Sequence, residues 1–193
     1  KTVDQRIGLL KSCYKIIFNS SWSKKRFLEG LENKFINSNK LLIFYQSAKK
    51  GTLSLLQKKK KWITFVGKLN KAKGYDVFVK SITKILDKYI DWQAIVIGDE
   101  KREKIVLNHK KATILGFKKH QEVINIFKKT SITVACSRWE EPFGRTSLEA
   151  SANGCAVIIT NKGGLPETVT DAKILQNLNE KNLTKLISSL IED

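Results

Sequence analysis

Short apolar runs alternate with amphipathic stretches along most of this chain, and that alternation restricts its fold more than any other feature. Strand-like runs occupy residues 62–67, 92–98, 112–117, 131–136 and 155–160. Helix-like stretches follow them, at residues 75–90, 99–110, 121–129, within 142–153 and at 182–193. Strands that alternate with helices form a parallel sheet covered on both faces. Residues 60–193 therefore predict a doubly wound, all-parallel α/β domain.

The first third of the chain has a different organisation. Residues 15–21 have the pattern of a strand, and residues 22–31 that of a helix that Ser20 or Ser21 can cap. A further apolar run at residues 41–45 precedes the polar and basic stretch 47–61. We predict a first domain fragment over residues 1–35, an interdomain linker over 36–60 and the α/β domain over 61–193. The sequence contains no methionine, which suggests that it begins inside a longer protein.

The chain carries a formal net charge of +18, and all but five of its 36 basic residues are lysines. Three interpretations remain open: a solvated lysine-rich surface, attraction to anionic lipid headgroups, and nucleic-acid binding. The third is disfavoured, because nucleic-acid domains usually cluster arginines with aromatic residues, whereas these lysines are scattered. The three cysteines lack zinc spacing and are expected to be reduced thiols of a cytosolic protein. No apolar run reaches the roughly 20 residues of a membrane span.

Glycines stand at or near the ends of three predicted strands, at Gly67, Gly98 and Gly116. In open parallel sheets, ligands bind beyond the carboxyl ends of the strands. A glycine at that position allows either a tight turn or a close approach of the backbone to a ligand. Three of them in register favour a ligand crevice.

Three segments following predicted strands carry residues suited to an anionic ligand. The segment 67–74, GKLNKAKG, places lysines where a strand leads into a helix, which suits a diphosphate. In SRWEEPFGRTSLEA (137–150), Pro142 predicts a helix start whose N–H groups point at an anion. Segment 161–167, NKGGLPE, exposes backbone N–H groups at a Gly-Gly pair, and its Pro166 suits another helix start.

The two glutamates of the middle segment, Glu141 and Glu149, lie eight positions apart. On a helix this separation is about 12 Å of rise, so they cannot form one carboxylate dyad. They can instead hold opposite ends of an extended ligand. His109 and His120 have no partner at metal or triad spacing, and we assign no general base.

Together these segments resemble a known enzyme family. The stretches FVGKLNKAKGYDVF, WQAIVIGD, ILGF and SRWEEPFGRTSLEASANGCAVIITNKGGLPETV are similar to the C-terminal domain of retaining glycosyltransferases of the GT-B fold, in the glycosyl transferases group 1 (GT4) family. The resemblance covers residues 60–193. It implies a Rossmann-like donor-binding domain, preceded by a fragment of the N-terminal acceptor domain, so that the chain alone would bind donor without catalysing transfer.

The resemblance also implies roles for particular residues. Glu149 would bind the ribose hydroxyls, and Glu141, the predicted catalytic residue, the hydroxyls of the donor sugar. The remaining roles fall into three groups. The donor diphosphate would be bound by Lys68, Lys73, Phe143, Gly144 and Arg145. The base would lie against Gly116 and Phe117, and Gly163 and Gly164 would form a loop near sugar and phosphate. Many family members have arginine at the position of Lys68, so bidentate phosphate binding is lost there.

The implied reaction transfers a hexose from a nucleotide-diphosphate sugar to an acceptor hydroxyl with retention of configuration, in polysaccharide or lipopolysaccharide synthesis. The nucleotide sugar would be a co-substrate, and neither a cofactor nor a metal is expected. The expected acceptor is a saccharide or a lipid-linked one, and the expected location is cytoplasmic, with peripheral contact to the inner membrane face as an option. Two alternatives are a GT-B nucleotide-sugar epimerase and a basic module that binds RNA or a membrane surface. The former lacks acid/base residues here, and the latter leaves the glutamate pair and GGLPE unexplained.

Overall fold

The computed structural model describes residues 2–36, 39–50 and 59–193. The chain divides into two compact units, Lys1–Ser47 and Ala48–Asp193.

The first unit is small and built around two parallel strands. Its elements are α1 (Val3–Ser12), β1 (Ile16–Phe18), α2 (Ser21–Leu28), α3 (Asn33–Ile36) and β2 (Leu41–Ile43). The strands pair in register from Ile16 and Leu41 onward. Its core consists of four buried apolar side chains, those of Leu10, Phe18, Leu31 and Leu41. The Ser20 hydroxyl accepts the Ser23 N–H at 2.9 Å, so Ser20 is the cap predicted for α2.

The structure differs from the predicted domain boundary. The linker was expected to begin at residue 36, but residues 41–43 pair with β1 and belong to the first unit. The apolar run at residues 41–45 is too short for its period to separate a strand from a linker. Residues 51–58 of the predicted linker lie outside the described residues.

The second unit contains a six-stranded, all-parallel sheet. Its strands are β3 (Lys60–Val66), β4 (Gln93–Ile97), β5 (Ala112–Ile114), β6 (Thr130–Ala135), β7 (Ala156–Thr160) and β8 (Lys173–Leu175). Their order across the sheet is β5-β4-β3-β6-β7-β8. In the described part of this unit, four α-helices connect or follow them: α4 (Tyr75–Lys88), α5 (His120–Phe127), α6 (Arg145–Ala152) and α7 (Glu180–Glu192).

The sheet separates two apolar cores, because alternate residues of each strand point to opposite faces. Ala94 and Val96 of β4 pack with α4 and α7. Ile95 and Ile97 of the same strand pack with α5 and α6. Helices therefore cover both faces, and the predicted doubly wound parallel fold is confirmed.

The strand order places the turning point of the fold between β3 and β6. From β3 the chain runs outward through β4 to β5, then returns to β6 and continues to β7 and β8 on the other side. The connections that follow β3 and β6 therefore lead in opposite directions across the sheet from its carboxyl edge. In doubly wound folds such a divergence forms the ligand crevice.

Two predicted elements have different structures. Residues 99–110 contain no helix but an extended loop, in which Ile105 and Leu107 pack on the core. The Glu103 carboxylate in this loop accepts the Lys71 N–H at 3.0 Å, an interaction between distant segments that local periodicity does not reveal. Strand β8 was not predicted, because only three residues after a polar segment form it.

Candidate functional site

Gly67, Gly98 and Gly116 lie on neighbouring strand ends at the carboxyl edge of the sheet. The Gly67 N–H donates to the Ile97 carbonyl at 3.0 Å, and the Gly98 N–H to that of Gly116 at 2.9 Å. Gly98 has a φ of +134°, and a Cβ there would overlap the Gly67 carbonyl oxygen. A side chain at residue 98 would therefore force the two loops apart.

The loop after β3 is fixed to the loop after β6. Its Asn70 side chain accepts the Lys73 N–H at 3.1 Å, which closes a 3-10 turn. The Ala72 carbonyl then accepts the backbone N–H groups of Arg138 and Trp139, at 2.8 and 3.1 Å. The two segments predicted to meet a diphosphate are thus joined at the crevice.

An ion pair between Arg138 and Asp76 adds a second connection at this junction. The guanidinium donates two hydrogen bonds to the carboxylate, at 2.6 and 2.9 Å. Burial raises the pKa of Asp76, but hydrogen bonds from Arg138 and from the backbone outweigh that effect, so the pKa lies below its ordinary value. The pair anchors the loop after β6 to the first turn of α4.

Lys73 and Glu141 form an ion pair in the crevice, and the side chain of Glu141 is only 18% exposed. The Ser137 hydroxyl donates to the same carboxylate oxygen at 3.0 Å. Lys68 is exposed, and its side chain has no hydrogen-bonding or charged partner among the described residues. Two donors, Lys73 and Ser137, therefore orient the Glu141 carboxylate, and the exposed Lys68 lies in the same loop as Lys73.

The Gly-Gly-Leu-Pro-Glu turn supports Glu141 from the opposite side. The Gly164 N–H donates to the Glu141 carbonyl at 2.7 Å. A Cβ on Gly163, whose φ is +58°, would overlap the Glu141 backbone. Pro166 lies in the first turn of a 3-10 helix over Leu165–Glu167, the helix start that the sequence predicted. The turn therefore fixes the backbone that carries Glu141.

Helix α6 begins at Arg145, three residues later than the start predicted at Pro142. Gly144 precedes it with a φ of +123°, which is not helical, and Phe143 is buried. A Cβ on Gly144 would overlap the Leu165 side chain. Close packing against the glycine-rich turn therefore keeps residues 142–144 out of the helix.

Glu149 lies on α6 with 10% of its side chain exposed. Its Oε1 accepts from Arg145, at 2.8 Å from Nη2 and 3.2 Å from Nε. His120 reaches the same oxygen from α5, with 3.1 Å between Nε2 and Oε1. The guanidinium predicted to meet a diphosphate therefore binds Glu149 in this structure.

Gly116 and Phe117 follow β5, the edge strand of the sheet. The Gly116 carbonyl accepts the Gly98 N–H, and the Phe117 side chain is 76% exposed. They lie on the same edge as the other predicted residues but two strands away from the turning point. This placement separates the predicted base-binding residues from the predicted diphosphate-binding ones.

The sequence did not predict the contacts of several residues at the site. Ser137, His120 and the Asp76–Arg138 pair acquire their roles only through contacts between distant segments. One available signal was the position of Ser137 and Arg138 directly after a strand on the ligand-binding edge. His120 offered no such signal, since Glu149 is 29 residues away.

Within residues 2–36, 39–50 and 59–193, no three histidine, cysteine, aspartate or glutamate side chains cluster as metal ligands would. No helix in the described part of the chain is long and apolar enough to cross a bilayer.

Comparisons with known proteins agree with the fold. HepE from Anabaena, solved with UDP and glucose, superimposes with a TM-score of 0.78 at 18% identity, over 98% of this chain and 57% of its own. The lipopolysaccharide core biosynthesis mannosyltransferase LpsB from Rhizobium meliloti is 33% identical over 121 residues, 58% of this chain and 34% of LpsB. An uncharacterized glycosyltransferase from Methanocaldococcus jannaschii is 30% identical over 188 residues, 93% of this chain and 50% of that protein.

This chain thus spans 34% of LpsB and 50% of the Methanocaldococcus jannaschii protein, half or less of the length of each. The model of the family described as "Glycosyl transferases group 1" matches residues 52–193, most of the chain. With the doubly wound sheet and the crevice already described, this match shows that the chain belongs to the glycosyl transferases group 1 family.

Proposed function

We propose that this chain supplies the donor-binding half of a retaining glycosyltransferase. The enzyme would move a hexose from a nucleotide-diphosphate sugar to an acceptor hydroxyl. The observation that carries the proposal is the pairing of Lys73 with Glu141 at the turning point of the sheet, where a cation for phosphate adjoins a carboxylate for sugar hydroxyls.

The diphosphate would lie between Lys68, Lys73 and the first turn of α6. Both ammonium groups supply positive charge, and the first N–H groups of a helix add a positive dipole end. As the bond between sugar and phosphate breaks, negative charge develops on the departing diphosphate. Preorganised cations and N–H groups stabilise that charge directly, so the step would depend on leaving-group stabilisation more than on a general base.

The two glutamates would bind opposite ends of the donor. Glu141, oriented by Lys73 and Ser137, would accept hydrogen bonds from sugar hydroxyls. Glu149, oriented by Arg145 and His120, would accept those of the ribose. The backbone around Phe143 and Gly144 would follow the diphosphate between them, and the Gly163-Gly164 turn would border sugar and phosphate. The base would extend toward Gly116 and Phe117.

The names of relatives and neighbours suggest the first ligands to test. HepE was solved with UDP and glucose, so UDP-hexoses are a natural first choice. LpsB is named for lipopolysaccharide core synthesis, which supports a saccharide or lipid-linked acceptor in cell-surface polysaccharide assembly. We propose a cytoplasmic site of action, with the lysine-rich surface available for anionic membrane headgroups.

Isothermal titration calorimetry with UDP, GDP and ADP, followed by their hexose derivatives, tests the proposal. We expect one diphosphate to bind without added metal, and one of its hexose derivatives to bind more tightly through Glu141. Glu141→Gln should remove that additional affinity and leave binding of the free diphosphate in place. If none of the three diphosphates binds, the proposed function is wrong.

A further inference from the structure

A histidine from a different helix contacts the carboxylate that we assign to the ribose. His120 is the first residue of α5, and its side chain is 66% exposed. Its Nε2 lies 3.1 Å from Oε1 of Glu149. Arg145 approaches the same oxygen from the adjacent turn of α6, at 2.8 and 3.2 Å. Two side chains therefore bind a single oxygen of Glu149.

The other oxygen, Oε2, has no hydrogen-bond partner within the described ranges. An ionised carboxylate offers about four lone-pair sites shared between its two oxygens. Donors held on Oε1 fix the plane of the group and leave Oε2 open. A carboxylate oriented in this way loses less conformational entropy when hydroxyl groups bind it.

The fold has little need of the His120 side chain itself. Val123 and Phe127 fasten α5 to the core, and the Glu122 carboxylate accepts the Lys119 N–H at 2.9 Å to cap the helix. A side chain that is two-thirds exposed contributes little to packing. The contribution of this imidazole is thus its contact with Glu149 rather than packing.

We propose that His120 is a positioning residue for the ribose-binding carboxylate. It acts with Arg145 to hold Oε1 of Glu149, so that Oε2 faces the vicinal hydroxyls of a ribonucleotide. The inference rests on the proposed function, because it requires a nucleotide at this site. It adds a residue from α5 to the binding site, and it assigns the free oxygen to the ligand.

The test compares ribonucleotide binding in five variants of the 193-residue chain: the single variants His120→Ala, His120→Gln, Gln121→Ala and Glu149→Ala, and the double variant that combines His120→Ala with Glu149→Ala. The probe is whichever of UDP, GDP and ADP binds the wild-type chain most tightly, together with its 2′,3′-dideoxy analogue. We expect His120→Ala to weaken ribonucleotide binding about threefold to tenfold, as for loss of a partly exposed hydrogen bond to a charged group. The dideoxy analogue, which has no hydroxyls for Glu149, should bind wild type and His120→Ala equally.

Two further comparisons separate positioning from a general structural effect. The glutamine amide can donate to Oε1, so His120→Gln should bind within about twofold of wild type. The neighbouring Gln121→Ala variant, which leaves the Glu149 contact intact, should match wild type. Adding His120→Ala to Glu149→Ala should cause no further loss.

Equal losses for the ribonucleotide and its dideoxy analogue would overturn the inference, as would tighter ribonucleotide binding by His120→Ala. If the wild type binds and His120→Ala binds equally tightly, the inference is refuted, and the proposed function is not. If the wild type binds none of the three diphosphates, the proposed function fails and this inference fails with it.

Discussion

At the scale of single residues, two glutamates eight positions apart occupy different environments. Glu149 lies on α6, whereas Glu141 lies in the loop before it, so the helical rise between them does not apply. Each carboxylate pairs with a cation: Glu141 with Lys73, and Glu149 with Arg145. Both are thereby oriented, and each can bind a separate group of one ligand.

Replacing Glu149 should weaken nucleotide binding. We expect Glu149→Ala to cost about 1.5–3 kcal/mol of binding free energy, because hydrogen bonds to an ionised group are lost. Calorimetry with the nucleoside diphosphate measures this loss, and Glu140→Ala, at an exposed neighbouring position, is the control. Unchanged affinity in Glu149→Ala would show that this carboxylate does not meet the ligand.

Replacing Lys68 or Lys73 should affect diphosphates much more than nucleosides. Each alanine variant removes a charge-assisted hydrogen bond to phosphate, worth about 1.5–3 kcal/mol, that a nucleoside cannot form. The control is Lys71→Ala, in the same loop, whose ammonium pairs with Glu103 and is 71% exposed. Paired titrations with nucleoside and diphosphate provide the measurement. Equal losses for the two ligands would argue against contact with phosphate.

At the scale of elements, the glycines at the carboxyl edge differ in how much space surrounds them. A Cβ on Gly98 would overlap the Gly67 carbonyl, whereas one on Gly116 would have no atom within 4 Å. Both glycines have positive φ, so alanine would strain the backbone at either position. Only at residue 98 would the alanine Cβ also clash with a neighbouring atom.

We therefore expect Gly98→Ala to destabilise the chain by more than 3 kcal/mol, and Gly116→Ala by about 1–2 kcal/mol. Gly8, on α1, is a control of opposite sign: alanine there should stabilise by about 0.5–1 kcal/mol. Urea unfolding followed by circular dichroism measures all three. Similar losses at residues 98 and 116 would contradict the close approach of the two loops.

The elements most regular in sequence were the ones predicted correctly. The strands and helices from residue 60 onward carry their own periodicity, and their alternation is sufficient to predict a parallel sheet. The helix predicted at residues 99–110 was wrong. Their polar composition favoured a helix, but contacts from Asn70 and Lys71 to Glu100 and Glu103 hold these residues in an extended loop. The predicted start of α6 at Pro142 was wrong because the packing of Gly144 against Leu165 outweighed the preference of proline for a first helical turn. The roles assigned to the motif residues stay predictions, whereas the contact of His120 with Glu149 is visible only in the tertiary structure.

At the scale of the whole molecule, the chain consists of two compact units of unequal size. The larger unit contains the crevice with Lys73, Glu141 and Glu149. The chain spans 57% of HepE, the structural neighbour solved with UDP and glucose. Donor binding and transfer can therefore be tested as separate properties of this polypeptide.

We expect the 193-residue chain to bind a sugar nucleotide and transfer almost nothing. Positioning of two reactants can supply roughly 7–11 kcal/mol of barrier reduction. We expect the contacts that position the acceptor to come from the N-terminal acceptor domain that the family resemblance implies. Calorimetry measures donor binding, and mass spectrometry of the products measures transfer. Robust transfer, absent in Glu149→Ala, would show that this chain holds a complete active site.

Because Cys136 is buried, the rate at which its thiol is alkylated can report how often the crevice opens. Its thiol is fully covered, lies 3.4 Å from the Gly74 carbonyl oxygen, and has its pKa raised to about 12 by burial. A thiol-specific reagent can reach Cys136 only when the chain around Gly74 moves away from it, whereas Cys13, in the first unit, is partly exposed and should react first. Cys155 is buried as well, so the slow phase that belongs to Cys136 has to be identified by locating the alkylated residue. A bound diphosphate that holds Lys73 in place should slow the alkylation of Cys136, so its rate would report occupancy of the site.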